Sequence, residues 1–257
     1  MKRHSTAIIH PKAKLADDVE VGAYSIIGEH VEIGSGTWIG PHVVVEGHTR
    51  IGQHNRIFQF CSVGANPQDK KYAGEPTRLE IGDHNTIREF CTLNTGTVQD
   101  AGATRIGSDN WIMAYVHVAH DCQIGSHTIM ANGATLGGHV HIGDWVFLGG
   151  LSGVHQFVRI GAHAMTGFQT RLSQDLPPYV TAADNPAAAH GINSEGLKRR
   201  GFSGESIMAI KRAYKTLYKS GLALEDAKAE IQSQAAEHPE LQAMVDFLST
   251  ATRGILR

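Results

Sequence analysis

From Ile9 onward an apolar residue returns every six positions. The series runs Ile9, Leu15, Val21, Ile27, Ile33, Ile39, Val45, Ile51, Ile57 and Val63, and keeps its phase at Ile81, Ile87 and Leu93. After a one-residue shift it resumes at Ile106 and continues through Ile112, Val118, Ile124, Met130, Leu136, Ile142, Leu148, Val154 and Ile160. A helical face repeats near 3.6 residues and a lone strand near two, so neither accounts for a period of six. Six residues do suffice for one short strand and one corner. Three such units close a triangular coil of about eighteen residues whose apolar positions point into a shared core, each coil being stable only when stacked on its neighbours. The pattern therefore predicts a mainly β protein, a parallel β-helix of hexapeptide repeats.

Two secondary features ride on the same grid. Glycine often follows the apolar residue, as at Gly22, Gly28, Gly34, Gly40 and Gly52, which suggests permissive backbone at the corners. Small or β-branched residues stand four places after it, among them Val31, Val43, Cys61, Cys91 and Cys122. The chain has three cysteines and no CxxC pair. All three fall on this small core position, so they are expected to pack and not to bind metal or exchange disulfides.

The grid is interrupted twice, by polar stretches between Val63 and Ile81 and between Leu93 and Ile106. Loops ejected from a rigid solenoid often carry function. After Ile160 the grid fades, and past Pro177 and Pro178 a polar, basic connector, GINSEGLKRRGFS, leads into a different period. Ile207, Ile210, Tyr214, Leu217 and Tyr218 lie on one helical face, with Ser203 or Gly204 near its start and Gly221 past its end. Residues 223–236 and a segment entered through Pro239 predict two more helices. The expected organisation is a β-helix over residues 1–185 and a small α-helical domain over 186–257, suited to covering the open end of the solenoid.

Composition narrows the function. A formal net charge of −2 over 257 residues gives no bulk attraction to nucleic acid. No apolar run is long enough for a signal peptide or a membrane span, so a cytoplasmic location is expected.

The densest polar cluster is VHVAHDC, with His117, His120 and Asp121. His139 follows His120 at about one coil's spacing and His155 about one coil further, so the histidines should line one edge. Histidine titrates near neutrality and can take a proton from a sugar hydroxyl and return it, with an adjacent carboxylate orienting the ring. A turn such as Gly137-Gly138 can present an N–H to a developing oxyanion. The blander alternative is solvated corner histidines, since the chain has sixteen, including His42, His48, His54 and His84. A third possibility is a metal held by His117, His120 and His139, as in zinc-dependent hydratases of hexapeptide-repeat architecture.

The motifs HVAHDC, AGEPTR, GVHQF, QDLPPYV, NSEGLKRRGFS and TRGILR resemble the UDP-N-acetylglucosamine acyltransferases of bacterial lipid A synthesis over nearly the whole chain. The resemblance implies a left-handed coil, a homotrimer and no cofactor or metal. It implies transfer of a 3-hydroxyacyl group from acyl carrier protein to the sugar 3-hydroxyl of UDP-N-acetylglucosamine. His120 matches the general base, Asp121 its polarising partner and Gly138 the oxyanion donor. Gln68, Asp69 and Lys71, in the first ejected loop, match residues near the sugar and diphosphate, and the trimer would set Lys71 of one chain near His120 of another. His117, His139, His155 and Gln156 match groove contacts. Asn193, Glu195, Arg199 and Arg200 match the nucleotide end, where guanidinium groups can grip phosphate. Lys211, Arg212, Lys215 and Lys219 give one helix a basic face suited to an acidic carrier protein.

Two positions set this sequence apart. Asn94 stands where better-known members have histidine, which bears on acceptor choice and keeps open an alternative N-acyl transfer to a 3-amino sugar. Phe168 stands at the residue that limits the acyl groove, where glycine admits long chains. Its ring fills the volume of several methylenes, each worth roughly 0.8 kcal/mol when buried, so a chain of about ten carbons is expected in place of about fourteen.

Overall fold

A computed structural model describes residues 3–251 and 254–257; Thr252 and Arg253 of the TRGILR motif lie outside the described residues. The hexad unit is a two-residue strand and a corner. The strand's first residue faces outward and its second, the grid residue, faces the core, as in Glu20–Val21 and Trp38–Ile39. The strands stack into three parallel sheets of nine, eight and ten strands, forming a triangular prism, a left-handed parallel β-helix. Register partners in ordinary coils are eighteen residues apart, as for Ile8 with Ile26 and His117 with Thr135. Nearly all grid residues are fully buried in one continuous core, with Cys61, Cys91 and Cys122 among them.

The corners overturn one expectation. Left-handed backbone there is carried mainly by non-glycine residues, including Tyr24, His42, His54, Phe60, His84, Asp121, His139, Trp145, Phe157 and His163. The grid glycines are needed for another reason. A Cβ on Gly22 would lie 2.6 Å from the carbonyl carbon of Gly40, and one on Gly34 2.7 Å from that of Gly52. Glycine lets successive coils approach, while the outward corner accepts aromatic and imidazole rings that stack from coil to coil. Among the expected corner histidines, His48 sits instead at the start of a strand, His48–Ile51.

Both interruptions of the grid leave the prism at the same edge, between the first and second sheets. Ile51 pairs with Ile81, thirty residues on, and Ile81 with Ile106, twenty-five on, where eighteen would complete a coil. The surplus forms two adjacent loops, residues 66–77 and 95–102. The Asn94 side chain donates to the carbonyls of Ala65 (3.2 Å) and Asn66 (2.9 Å), closing the base of the first loop against the second.

The coil continues further than the apolar spacing suggests, through Met165–Thr166 and Arg171–Leu172, with Thr166 buried in a grid position. The third sheet then ends on an antiparallel pair, Val180–Ala183 with Ala188–Ile192. Helix α1 (Ser194–Arg199) lies within the stretch expected to be a connector. Helices α2 (Gly204–Lys219), α3 (Leu224–Ala235) and α4 (Gln242–Thr250) share a second core. This bundle is tied to the prism by Tyr179 Oη donating to Glu240 O (2.7 Å) and Arg159 donating to Thr250 O (2.7 Å). Ile255 pairs in parallel with Asp175, adding a tail to the open end of the second sheet.

Candidate active site

The edge that ejects the two loops carries the histidines one coil later. His139 N donates to His120 O, and Phe157 N to Gly138 O, so His120, His139 and Phe157 climb successive corners of this edge. His120 Nδ1 lies 2.9 Å from Asp121 Oδ2, and Asp121 is fully buried. The second loop reaches back over this carboxylate. Thr97 N donates to Asp121 Oδ1 (2.8 Å) and Thr97 Oγ1 to Asp121 Oδ2 (2.6 Å). Burial alone would push the Asp121 carboxyl up. The donors from His120 and Thr97, with the nearby His139, outweigh burial and hold it below its ordinary value. Asp121 is thus a buried anion satisfied by its neighbours, and because it only accepts, His120 carries its proton on Nδ1. Among the described residues nothing hydrogen-bonds His120 Nε2, so that lone pair is left for a ligand.

Gly138 lies directly against this ring. A Cβ at position 138 would fall 2.6 Å from His120 Cε1. The Gly138 N–H has no hydrogen-bond acceptor among the described residues. His139 packs edge-on against His120, with ring centroids 5.0 Å apart, and flat on Phe157 at 4.3 Å. His117 is on the adjoining sheet face, its Nδ1 2.7 Å from Thr92 Oγ1; burial, and then the neighbouring His120, lower its pKa. His155 and Gln156 are exposed one corner further on. A pocket of about 360 Å³ opens beside His139, lined by Asp69, Lys71, Thr97, Gln99, Asp100 and Phe157. The first loop therefore reaches the histidine edge of its own chain, with Gln68 exposed beside Asp69.

Thr97 and Asp100 were not anticipated. Both sit in a loop with no periodic pattern, and only their return to the histidines reveals them. His120, Asp121 and His139 offer nitrogen and oxygen atoms within 4.8 Å of one another, close enough in principle for a metal. As arranged, His120 Nδ1 is bonded to Asp121, Asp121 to Thr97, and His139 Nδ1 to Asp100.

The remaining candidates lie elsewhere on the chain. Arg200 is over the Trp145 ring (5.3 Å) and 3.2 Å from His163 Nδ1, at the edge between the second and third sheets. Asn193 caps α1, accepting from Gly196 N, and donates to His163 O. Glu195 pairs with Lys198, and Arg199 is exposed. Phe168 occupies the third edge and is 67% exposed. Asn94, 2% exposed, serves the base of the first loop. A single chain thus gathers the histidine set but not the arginines or Phe168.

A prism of hexapeptide repeats with a histidine–carboxylate dyad on its edge defines a hexapeptide-repeat transferase. Residues 103–138 match the bacterial transferase hexapeptide family (six repeats), and residues 175–256 match the second domain of the UDP-N-acetylglucosamine O-acyltransferases. The chain is 66% identical to the acyl-[acyl-carrier-protein]–UDP-N-acetylglucosamine O-acyltransferase of Herminiimonas arsenicoxydans, over 99% of this chain and 98% of that one. It is 51% identical to a solved structure of LpxA from Acinetobacter baumannii, with a TM-score of 0.98 and full coverage of both chains. The UDP-N-acetylglucosamine O-acyltransferase (LpxA) of Moraxella catarrhalis superposes with the same TM-score at 47% identity, again over both whole chains. The chain belongs to the UDP-N-acetylglucosamine O-acyltransferase family.

Proposed function

We propose that this protein moves a 3-hydroxyacyl group from the thioester of acyl carrier protein to the 3-hydroxyl of UDP-N-acetylglucosamine, the first step of lipid A synthesis, in the cytoplasm. The observation that carries the reading is the dyad: His120 with a free Nε2, its Nδ1 on a buried and fully satisfied Asp121. His120 Nε2 takes the proton of the sugar hydroxyl as its oxygen attacks the thioester carbonyl, and Asp121 stabilises the imidazolium. The Gly138 N–H stabilises the negative charge on the tetrahedral intermediate. Collapse breaks the C–S bond, and the carrier's thiolate takes the proton back from His120. No acyl-enzyme forms. Burial pushes the Cys122 thiol up to about 12, in keeping with a packing role.

The divided placement of the candidates supports a site completed between copies. The edge between the third and first sheets is an exposed ladder of rings, Tyr24, His42, Phe60, Phe90 and Tyr115, continued by Leu151 and Phe168. Such an apolar stripe is suited to burial against another chain, and we assign it to a homotrimer. In that assembly Phe168 of one copy limits the acyl groove beside His120 of another. Gln68, Asp69, Lys71, His117, His139, His155 and Gln156 contact the sugar, diphosphate and acyl chain, and Asn193, Glu195, Arg199 and Arg200 contact the nucleotide. The prism performs the chemistry; the expected boundary at 185/186 falls inside the hairpin of Val180–Ala183 and Ala188–Ile192, so the prism extends through Ile192. The helical part that follows offers exposed Lys211, Arg212, Lys215 and Lys219 of α2 to the acidic carrier protein.

Assay of the purified protein with UDP-N-acetylglucosamine and hydroxyacyl carrier proteins tests this directly. Replacing His120 by alanine is expected to slow transfer by about 10²–10⁴-fold, the contribution of a general base. Undiminished transfer by that variant would remove the mechanism, and no transfer by the wild type would remove the function.

A further inference from the structure

The second ejected loop does more than clamp Asp121. Its Asp100 Oδ2 lies 2.7 Å from His139 Nδ1, a contact spanning thirty-nine residues of sequence. A carboxylate only accepts, so His139 must hold a proton on Nδ1. The ring is fixed on two further sides, by the stacked Phe157 and the perpendicular His120. His139 is therefore a second histidine–carboxylate pair, built beside the first.

Its position creates a conflict that Asp100 resolves. His139 Nδ1 lies 3.9 Å from Asp121 Oδ2, too far for a hydrogen bond but within a small ring movement of one. That oxygen already accepts from His120 and from Thr97. A His139 without its own carboxylate would have one anion within reach, and would compete with His120 for it. We infer that Asp100 is a positioning residue: it holds the His139 Nδ1 proton away from Asp121, keeping Asp121 for His120 and His139 Nε2 for the substrate. The inference rests on the proposed acyl transfer for its kinetic consequence, but the proton position does not depend on it. Asp100 is the more exposed partner, at 43% against 13% for His139. The pair therefore operates at the wall of the pocket that also contains Lys71, where a bound substrate would exclude water from it.

A double-mutant cycle with a spectroscopic readout tests this. Asp100→Ala is expected to lower kcat/KM about ten-fold, mostly in kcat, as expected for losing one charge-assisted hydrogen bond. Asp100→Asn, whose amide oxygen still accepts, should recover most of that loss. In a His139→Ala background, Asp100→Ala should cost less than about two-fold. An equal loss in both backgrounds would show that Asp100 does not act through His139. Independently, nitrogen NMR of histidine-labelled protein should find the His120 Nδ1–H signal of a carboxylate-bound imidazole in the wild type, and should find that signal shifted in Asp100→Ala as His139 turns its own Nδ1–H to Asp121. An unchanged His120 signal would overturn the inference. This second measurement needs no turnover, so it separates failure here from failure of the acyl-transfer reading.

Discussion

Asp121 is the residue on which the site turns, and its surroundings show what a local motif reveals and what it hides. The pairing of His120 with Asp121 is legible because the two are adjacent and the corner geometry brings their side chains together. Thr97 is not legible. It is twenty-four residues away and contributes both its N–H and its hydroxyl to the same carboxylate. Hydrogen bonds to charged groups are worth about 1.5–3 kcal/mol. Thr97→Val keeps the shape and the N–H but removes the hydroxyl. It should reduce kcat/KM by about ten-fold while leaving the thermal transition within a few degrees. Wild-type kinetics in this variant would mean that the hydroxyl does not hold the dyad.

At the scale of the repeat, the corner explains the unusual histidine content. His127, Trp145, His163 and Tyr179 stack along the edge between the second and third sheets, at centroid separations of 4.1, 6.3 and 5.6 Å. Burial, then the adjacent Arg200 charge, push His163 down to about 4, against a smaller opposing pull from Asp144. The unfolded chain titrates this imidazole near 6.5. Between these values the unfolded state binds a proton that the folded state refuses, so this contribution to stability is present above pH 6.5 and lost as pH falls towards 4. The loss should be on the order of 2–3 kcal/mol, and His163→Gln should flatten that part of the profile. Urea midpoints measured from pH 7 to 4 check it: an equal slope in both proteins would remove His163 as the cause. The hexad spacing foretold these corners without foretelling their conformation. Left-handed backbone falls on stacked rings, and glycine falls where two coils nearly touch.

At the scale of the whole molecule, the candidate site is incomplete in one chain. The histidines, the arginines and Phe168 stand on three different edges of the prism, so the roles proposed for Phe168 and the arginines call for a neighbouring chain. Sedimentation of the purified protein should give a particle of three chains. Within it Phe168→Gly should shift preference from acyl groups of about ten carbons towards about fourteen, because each methylene newly buried is worth roughly 0.8 kcal/mol. Turnover of the two hydroxyacyl carriers by wild type and variant measures this. A wild type already favouring the longer chain would end the assignment of Phe168 as the ruler.

The hexapeptide period was enough to determine the prism, because alternation of inward and outward side chains and the eighteen-residue coil are local consequences of a six-residue unit. It also placed His120 and His139 on one edge, since positions one coil apart must stack. The helical period after Ser203 was equally local. What the sequence could not determine was where the ejected loops return. Their path has no period, and the partners they supply, Thr97 for Asp121 and Asp100 for His139, are chosen by contacts across the fold. The reason for the grid glycines was likewise decided only by the approach of one coil to the next. Whether three edges become one site depends on surfaces meeting in space, which no pattern along a single chain encodes.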